Sequence, residues 1–338
     1  YLMVLNFQKD VSLLPYNTFG IDVKSKKFVS VRSTDELKAV LNQNQEKRLL
    51  VLGGGSNLLL TKDFDGLTLR IENRGIQIVH EEQRSAKVKV AAGENWHYFV
   101  MWCLDNDLGG IENLALIPGS VGAAPIQNIG AYGVELSQVF ESCEALSIET
   151  GELKIFNIEE CEFGYRNSIF KNSLKEQYII TSVQFNLSKP PHQTNTSYKE
   201  LSEKFDGKSP SIQSIAQAVV DIRSAKLPDP GQIGNSGSFF KNPVIPSRQF
   251  TKLQQQYPKI PHYPDHEGKI KIPAAWLIDC LGYKGYRVND AGVHQKQALV
   301  LVNYGNASGT EIQKIAYEIR DKILENFAIN LEFEVNIL

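Results

Sequence analysis

Residues 234–243 read GNSGSFFKNP and set two hydroxyls, Ser236 and Ser238, on a backbone thinned by glycine, with two phenylalanines directly behind them. Such a stretch suits either a turn whose aromatic rings plug a core or a serine that meets a ligand where water is excluded. Neither a hydrolase nor a metal template fits. The order is not G-x-S-x-G, so no nucleophile elbow is spelled out. The six histidines, at 80, 97, 192, 262, 266 and 294, contain no H-E-x-x-H pair. Prolines 261 and 264 disfavour the helix that would put His262 and His266 on one face. No metal is expected.

Two other stretches can hold a ligand. GGGSNL at 53–58 follows the apolar run RLLVL, and a strand running into clustered glycines bares backbone N–H groups able to cradle a phosphate. It departs from G-x-G-x-x-G, since Leu58 stands at the last position, and it has no Walker lysine. By itself it fits a tight turn or a ligand loop. IPGSVGAAPIQNIGAYG at 117–133 is too broken by Pro and Gly for a regular element and too apolar for a solvated loop. It adds polar handles at Ser120, Gln127 and Asn128, and two side-chain-poor surfaces can enclose one long ligand such as a dinucleotide. Arg166, in the aromatic setting EFGYRNSIFK, fits a structural ion pair or a planar fork for an anion. In EFEVNIL, strand alternation would put Glu332, Glu334 and Asn336 on one face, as exposed charges or as site residues.

The elements that must position these residues can be read from periodicity. A chain of 338 residues, 42% hydrophobic, has room for two or three cores. STDELKAVL opens with a capping box, Ser33 to Glu36, and puts Leu37, Val40 and Leu41 on one helical face, ahead of a buried strand ending at Leu52. GIQIVHEEQRSAKVKVAAG predicts two strands, and residues 96–104 a helix stopped by Gly109 and Gly110. A hairpin turning at Thr150 and Gly151, the strand YIITSVQFNL and the amphipathic helix SIQSIAQAVVDIRSAK follow. LPDPGQ marks a linker. Beyond it come a helix near Pro273, the strand QALVLVN, a long helix capped by Ser308 with Glu311, and a closing strand NLEFEVNIL. The pattern reads as α+β.

Composition narrows the partners. A net charge of −2, from 36 basic and 38 acidic residues, gives no footprint for nucleic acid. Cys103, Cys143, Cys161 and Cys280 form no C-x-x-C pair, which points to a reducing cytoplasm rather than a zinc or disulfide framework. No apolar run approaches the ~20 residues that span a bilayer, and YLMVLNFQKD lacks the flanks of a secretory signal. A cytoplasmic monomer is expected.

The segments NTFG at 17, VLGGGSNLL at 51, IPGSVGAAPIQNIGAYG at 117, EFGYRNSIFK at 162, RSAKLPDP at 223, GNSGSFFKNP at 234, AAWLIDCLGYKGYRVNDAGVH at 274 and EFEV at 332 span nearly the whole chain. In content and order they resemble the UDP-N-acetylenolpyruvoylglucosamine reductases, the MurB flavoenzymes of peptidoglycan synthesis, in the subclass with a substrate-closing tyrosine loop. The resemblance implies a vanillyl-alcohol-oxidase/PCMH-type FAD-binding domain in two subdomains, 1–74 (with the C-terminal strand as a candidate addition) and 75–227. An α+β substrate-binding domain would occupy 228–338. It further implies that NADPH reduces the flavin and that UDP-N-acetylglucosamine enolpyruvate then takes the hydride to give UDP-N-acetylmuramate. FAD would lie across Gly53, Gly54, Gly55, Ser56, Asn57 and Leu58 on one loop and Pro118, Gly119, Ser120, Gly122, Ala123, Gln127, Asn128 and Gly130 on the other. It would be non-covalent, because the glycine loop carries no His or Cys.

By the same resemblance Ser238 is the proton donor, Arg166 stabilises the enolate and carboxylate, and Glu334 works with Arg166. Tyr132, Tyr198, Lys226, Asn242, Tyr263 and Lys271 are the implied substrate contacts. The chain departs from the common E-P-E-V-R ending, with Phe333 for the proline and Asn336 for the arginine, and it has Ser236 where alanine is more frequent. The rival readings are another flavin oxidase or dehydrogenase of the same fold and a non-catalytic flavin or nucleotide-sugar binder.

Overall fold

In the computed structural model, which describes residues 5–338, the chain divides into two compact units. Residues 5–11, Ser25–Gly54 and Phe64–Ala225 make the first, and Ser12–Lys24, Gly55–Asp63 and Lys226–Leu338 the second. The GGGSNL stretch is therefore split between them.

In the first unit, Lys24–Val31, Phe64–Ile71 and Leu49–Leu52 pair in parallel, with Val29 opposite Leu69 and Leu69 opposite Val51. Parallel neighbours need a crossover, and the helix Thr34–Gln43 supplies it. Ser33 caps that helix by accepting from the Glu36 N–H at 3.1 Å, a contact worth about 1 kcal/mol. Glu36 in turn accepts from the Arg32 N–H, one residue earlier than a regular capping box would have it. The helix covers the sheet with Leu37 and Val40, which join Val29, Val31, Leu67 and Leu69 in one core. A second sheet is antiparallel, in the order Leu153–Asn157, Phe140–Ser147, Tyr178–Ser188, Ser85–Ala91 and Ile76–Glu81. The helices Trp96–Asp105 and Ile212–Lys226 contribute to its core, where Trp96, Phe99 and Phe185 meet ring to ring. The segment 117–133 is irregular, as its composition demands: two 3-10 turns, Val121–Ala123 and Pro125–Gln127, and a two-residue ladder.

In the second unit an antiparallel sheet runs Gly234–Ser238, Val300–Asn303, Ala291–Val293, Arg287–Val288. The helix Gly309–Phe327 carries a complete capping box between Ser308 and Glu311. Residues 12–24 belong here because Asn17 holds its own turn, donating to Leu13 and Ile21 carbonyls and accepting from the Ile21 N–H. Asn303 then donates to the Phe19 carbonyl at 2.9 Å.

Two expectations fail. QALVLVN is strand only from Val300, because Gln297 to Val300 closes a turn first. The closing strand NLEFEVNIL is regular only at Asn336–Ile337, which pairs in parallel with Leu58–Leu59. Phe333 makes an isolated bridge to Phe240 and the chain bends at Glu334 and Val335, so alternation does not carry Glu332, Glu334 and Asn336 along one ladder. Aromatic packing of Phe333 against Phe239 and Phe240, with centroids 5.7 and 5.5 Å away, decides the path.

Candidate active site

In the first unit the ends of the two small-residue loops touch. A Cβ on Gly53 would run into the Ser120 hydroxyl, and one on Gly54 would lie 2.8 Å from the Gly119 Cα, so at position 54 only glycine permits this approach of two backbones. The second loop is fixed by its backbone: Trp96 N–H donates to Gly119 O, Val121 N–H to Glu94 O and Gly122 N–H to Ala92 O. Gly54, Pro118 and Ala123 remain exposed and present a surface almost bare of side chains. Such a surface fits a dinucleotide's pyrophosphate and flat ring system, and no His or Cys at 53–58 or 117–130 is there to tether it.

The remainder of that loop is stitched by polar groups. Asn128, at φ +46°, donates to Glu135 and to the Gly164 carbonyl and accepts from the Ser137 N–H, so its amide is engaged within the protein. Gln127 is half-buried at the end of its 3-10 turn. Gly164 and Asn167 exchange backbone hydrogen bonds, which leaves Tyr165 and Arg166 at the tip of a tight turn. Arg166 is left-handed, at φ +52°, and its Nη2 donates to the Gly130 carbonyl. Its guanidinium carbon lies 5.2 Å from the Tyr165 ring centre. Ser168 anchors the turn by donating to the Ile126 carbonyl at 2.7 Å.

Tyr132 and Tyr198 meet edge to face, centroids 5.1 Å apart. Tyr198 is the N-cap residue of the helix Lys199–Phe205 and is 43% exposed, whereas Tyr132 is half-buried. Asn113 donates to both the Tyr132 and Asn195 carbonyls, which ties the approach to Tyr198 onto the Tyr132 turn. Burial pushes the Tyr132 phenol up to about 12, with Glu200 and Tyr198 adding to the rise and Arg223 opposing it. Tyr132 therefore stays a hydrogen-bond donor at neutral pH.

The second unit gathers the other set. Ser238 ends its strand opposite Val300, after a bulge at Gly237, which takes φ +69°. Ser238 is half-buried, and its Oγ has no partner among the described residues. Ser236 differs: it is 7% exposed and donates to the Leu58 carbonyl at 3.3 Å. The bulge is what separates two serines that strict alternation would have kept together. Phe239 and Phe240 are fully buried, each stabilising the unit by roughly 2–3 kcal/mol through burial. Glu334 N–H donates to the Phe239 carbonyl at 2.9 Å, so the Glu334 backbone lies one residue from Ser238, and Asn57 Nδ2 donates to the Glu334 carbonyl. Gly55, Ser56, Asn57 and Leu58 thus share a unit with Ser238 and Glu334.

The implied substrate contacts of this unit lie at a helix end and around one small antiparallel sheet. Lys226 is exposed at the end of the helix Ile212–Lys226. Asn242 Oδ1 accepts from the Ala274 N–H at 2.9 Å. Tyr263 and Lys271 stand opposite each other on antiparallel strands, and Lys271 forms a 2.9 Å ion pair with Asp265, whose carboxyl it holds below the usual range.

Sequence reasoning passed over two side chains of the first unit. His97 Nδ1 accepts from the Leu116 N–H at 3.0 Å and so pins the start of the 117–133 loop. Burial, with Arg223 assisting, lowers its pKa and keeps it in the neutral form this bond requires. Arg223 is half-buried and continues a helix stripe that is otherwise apolar, and a charge on that stripe was the signal that could have found it.

Comparison with known proteins assigns these features. Residues 25–157 match the model of an FAD binding domain, and residues 229–338 match the C-terminal domain of UDP-N-acetylenolpyruvoylglucosamine reductase. The fold and the bare loop surface are thus those of a flavin-binding protein. The chain is 49% identical over 337 residues to the UDP-N-acetylenolpyruvoylglucosamine reductase of Flavobacterium johnsoniae, covering 99% of this chain and 100% of the relative. It is 47% identical over 340 residues to that of Pseudomonas savastanoi pv. phaseolicola, again with 99% and 100% covered. The crystal structure of the Thermus caldophilus enzyme superposes with a TM-score of 0.70 at 24% identity, over 99% of each chain, and shares the fold. The chain belongs to the UDP-N-acetylenolpyruvoylglucosamine reductases, the MurB family of FAD-dependent oxidoreductases in peptidoglycan precursor synthesis. No described helix is long and apolar enough to cross a membrane.

Proposed function

We propose that the protein uses NADPH to reduce UDP-N-acetylglucosamine enolpyruvate to UDP-N-acetylmuramate, acting in the cytoplasm as a monomer without nucleic acid. The domain division would be 1–74 and 75–227 for FAD and 228–338 for substrate. The observation that supports the reading most is the glycine-bared double loop of the first unit, Gly53–Gly54 against Gly119–Ser120.

FAD held on the double loop and reduced by NADPH would supply the hydride that the terminal vinyl carbon of the substrate takes. The electron pair of that double bond moves onto the adjacent carbon and its carboxylate. Arg166 meets the charge where it develops, and a donor fixed beforehand stabilises it most. The turn at Gly164–Asn167 and the bond to Gly130 fix Arg166 in this way. Ser238 then donates a proton to the adjacent carbon, so that one hydride and one proton are added. A serine is a weak acid in water, and its transfer depends on the dry, packed strand end and the neighbouring charges. Glu334 acts with Arg166. Tyr198 closes over the bound sugar nucleotide beside Tyr132, while Lys226, Lys271, Tyr263 and Asn242 take its diphosphate and sugar; ammonium groups suit a diphosphate that needs charge rather than a fixed fork.

Turnover of the purified holoenzyme tests this reading. NADPH consumption beyond one equivalent per flavin is expected only when the enolpyruvyl sugar is present, with an acidic sugar product heavier by two hydrogens. Retention of FAD without NADPH consumption would leave only a flavin-binding protein.

A further inference from the structure

The helix Ile212–Lys226 buries Ile212, Ile215, Ala216 and Val219. Arg223 follows Val219 by four residues and Ala216 by seven, and so continues the stripe that faces the core. A guanidinium in such a position is desolvated and ordinarily has a carboxylate beside it. Arg223 as a whole is half-buried, and its buried Nε has no hydrogen-bond partner. Its electrostatic neighbours are Arg166, which repels it, and Tyr132, which favours its charge; burial itself does most to weaken that charge. The C-terminal turn of a helix favours a cation. That accounts for a basic residue near 223 but not for an Nε turned inward without a partner.

We propose that Arg223 is a second carboxylate-binding arginine, which converges with Arg166 on the enolpyruvyl carboxylate of the substrate. The inference rests on the function proposed above. An ionised carboxylate has two oxygens and about four acceptor sites, so it can take guanidinium forks from two sides. An anion bound by both arginines would offset the repulsion between them. The negative charge to be met is also the one that grows in the reaction, as the electron pair released by hydride addition spreads into this carboxylate. Two arginines hold it there until the Ser238 proton arrives.

Arg223→Gln and Arg223→Lys holoenzymes test the assignment by calorimetric titration with the enolpyruvyl sugar and with UDP-N-acetylglucosamine, which lacks the carboxylate. The expectation for Arg223→Gln is a loss of affinity for the enolpyruvyl sugar of about tenfold to hundredfold, with UDP-N-acetylglucosamine binding and flavin bleaching by NADPH unchanged within about twofold. Arg223→Lys, which keeps the charge and loses the fork, should recover part of the loss. Equal weakening of both sugars would assign Arg223 to the diphosphate and overturn the proposal. So would unchanged binding, or loss of FAD and melting temperature as the main effect of both variants. A wild-type protein that fails to bind the enolpyruvyl sugar would instead sink the functional reading beneath it.

Discussion

The Ser238 strand of the second unit and the Arg166 turn of the first are built by opposite means. Ser238 is placed by packing: the two residues after it are fully buried, Phe239 meets Phe19, and both rings meet Phe333. Arg166 is placed by hydrogen bonds and by a left-handed backbone, with Asn128, Ser168 and Gly130 as its supports. A packed strand end gives a neutral group a dry and fixed position without any side-chain bond of its own. A polar turn gives a charged group partners that fix its orientation. The chemistry assigned to each follows: a weak acid needs exclusion of water, whereas a charge stabiliser needs orientation.

If that contrast holds, removing the hydroxyl should disable chemistry without disturbing the fold. Ser238→Ala is expected to lower kcat by about 10²- to 10⁴-fold with an unchanged melting temperature, as kinetics beside thermal unfolding will show. Arg166→Lys should cost less, on the order of ten- to hundredfold in kcat/KM, because the charge stays and the fork is lost; an unaltered rate would break the assignment of orientation to the turn. Gly54→Ala addresses the cofactor rather than the reaction. Its Cβ would meet backbone at 2.8 Å, and FAD retention on gel filtration should fall with about 1–3 kcal/mol of stability.

Acid should loosen the first unit at its bare loop. His97 has a lowered folded pKa, so below the ordinary value of 6.5 the unfolded chain binds more protons than the native one, and stability is lost as pH falls through that region. Protonation also removes the acceptor of the Leu116 N–H. FAD release should therefore rise as pH drops below 6.5, and a His97→Phe variant should lose FAD more readily at neutral pH and show a flatter profile. The smallest effect is expected at Ser236→Ala: two long bonds are lost, 3.3 Å to the Leu58 carbonyl and 3.5 Å to Thr18 Oγ1, for about 1 kcal/mol and less than about twofold in rate.

What the sequence displayed follows from the same contrast. Glycine loops, caps and aromatic plugs are local, and they appeared in the spelling: Ser308 and Phe239 behave as read, and Ser33 caps its helix although Glu36 reaches Arg32 instead of closing the box. The pressing of Gly53–Gly54 onto Gly119–Ser120 follows no periodicity, and only the side-chain-poor character of both loops hinted at it. The end of the chain was misread because alternation is a local rule, whereas the Phe240–Phe333 bridge is a long-range one. Arg166 was ambiguous in isolation, since its partners at Gly130 and Tyr165 lie in a turn that no propensity announces. Arg223 was hidden by the ordinary preference for basic residues at helix C-termini. Likewise, Ser236 and Ser238 look equivalent on paper, and only the bulge at Gly237 sends them to different surroundings.

The most direct test of the account is an anaerobic two-step titration of the FAD-loaded wild-type protein. NADPH should bleach the flavin absorbance, and the enolpyruvyl sugar, added after the nicotinamide is spent, should restore it in equal amount. A flavin that bleaches but is not reoxidised by the sugar, or one that NADPH leaves coloured, would contradict the division of labour assigned to Ser238 and Arg166.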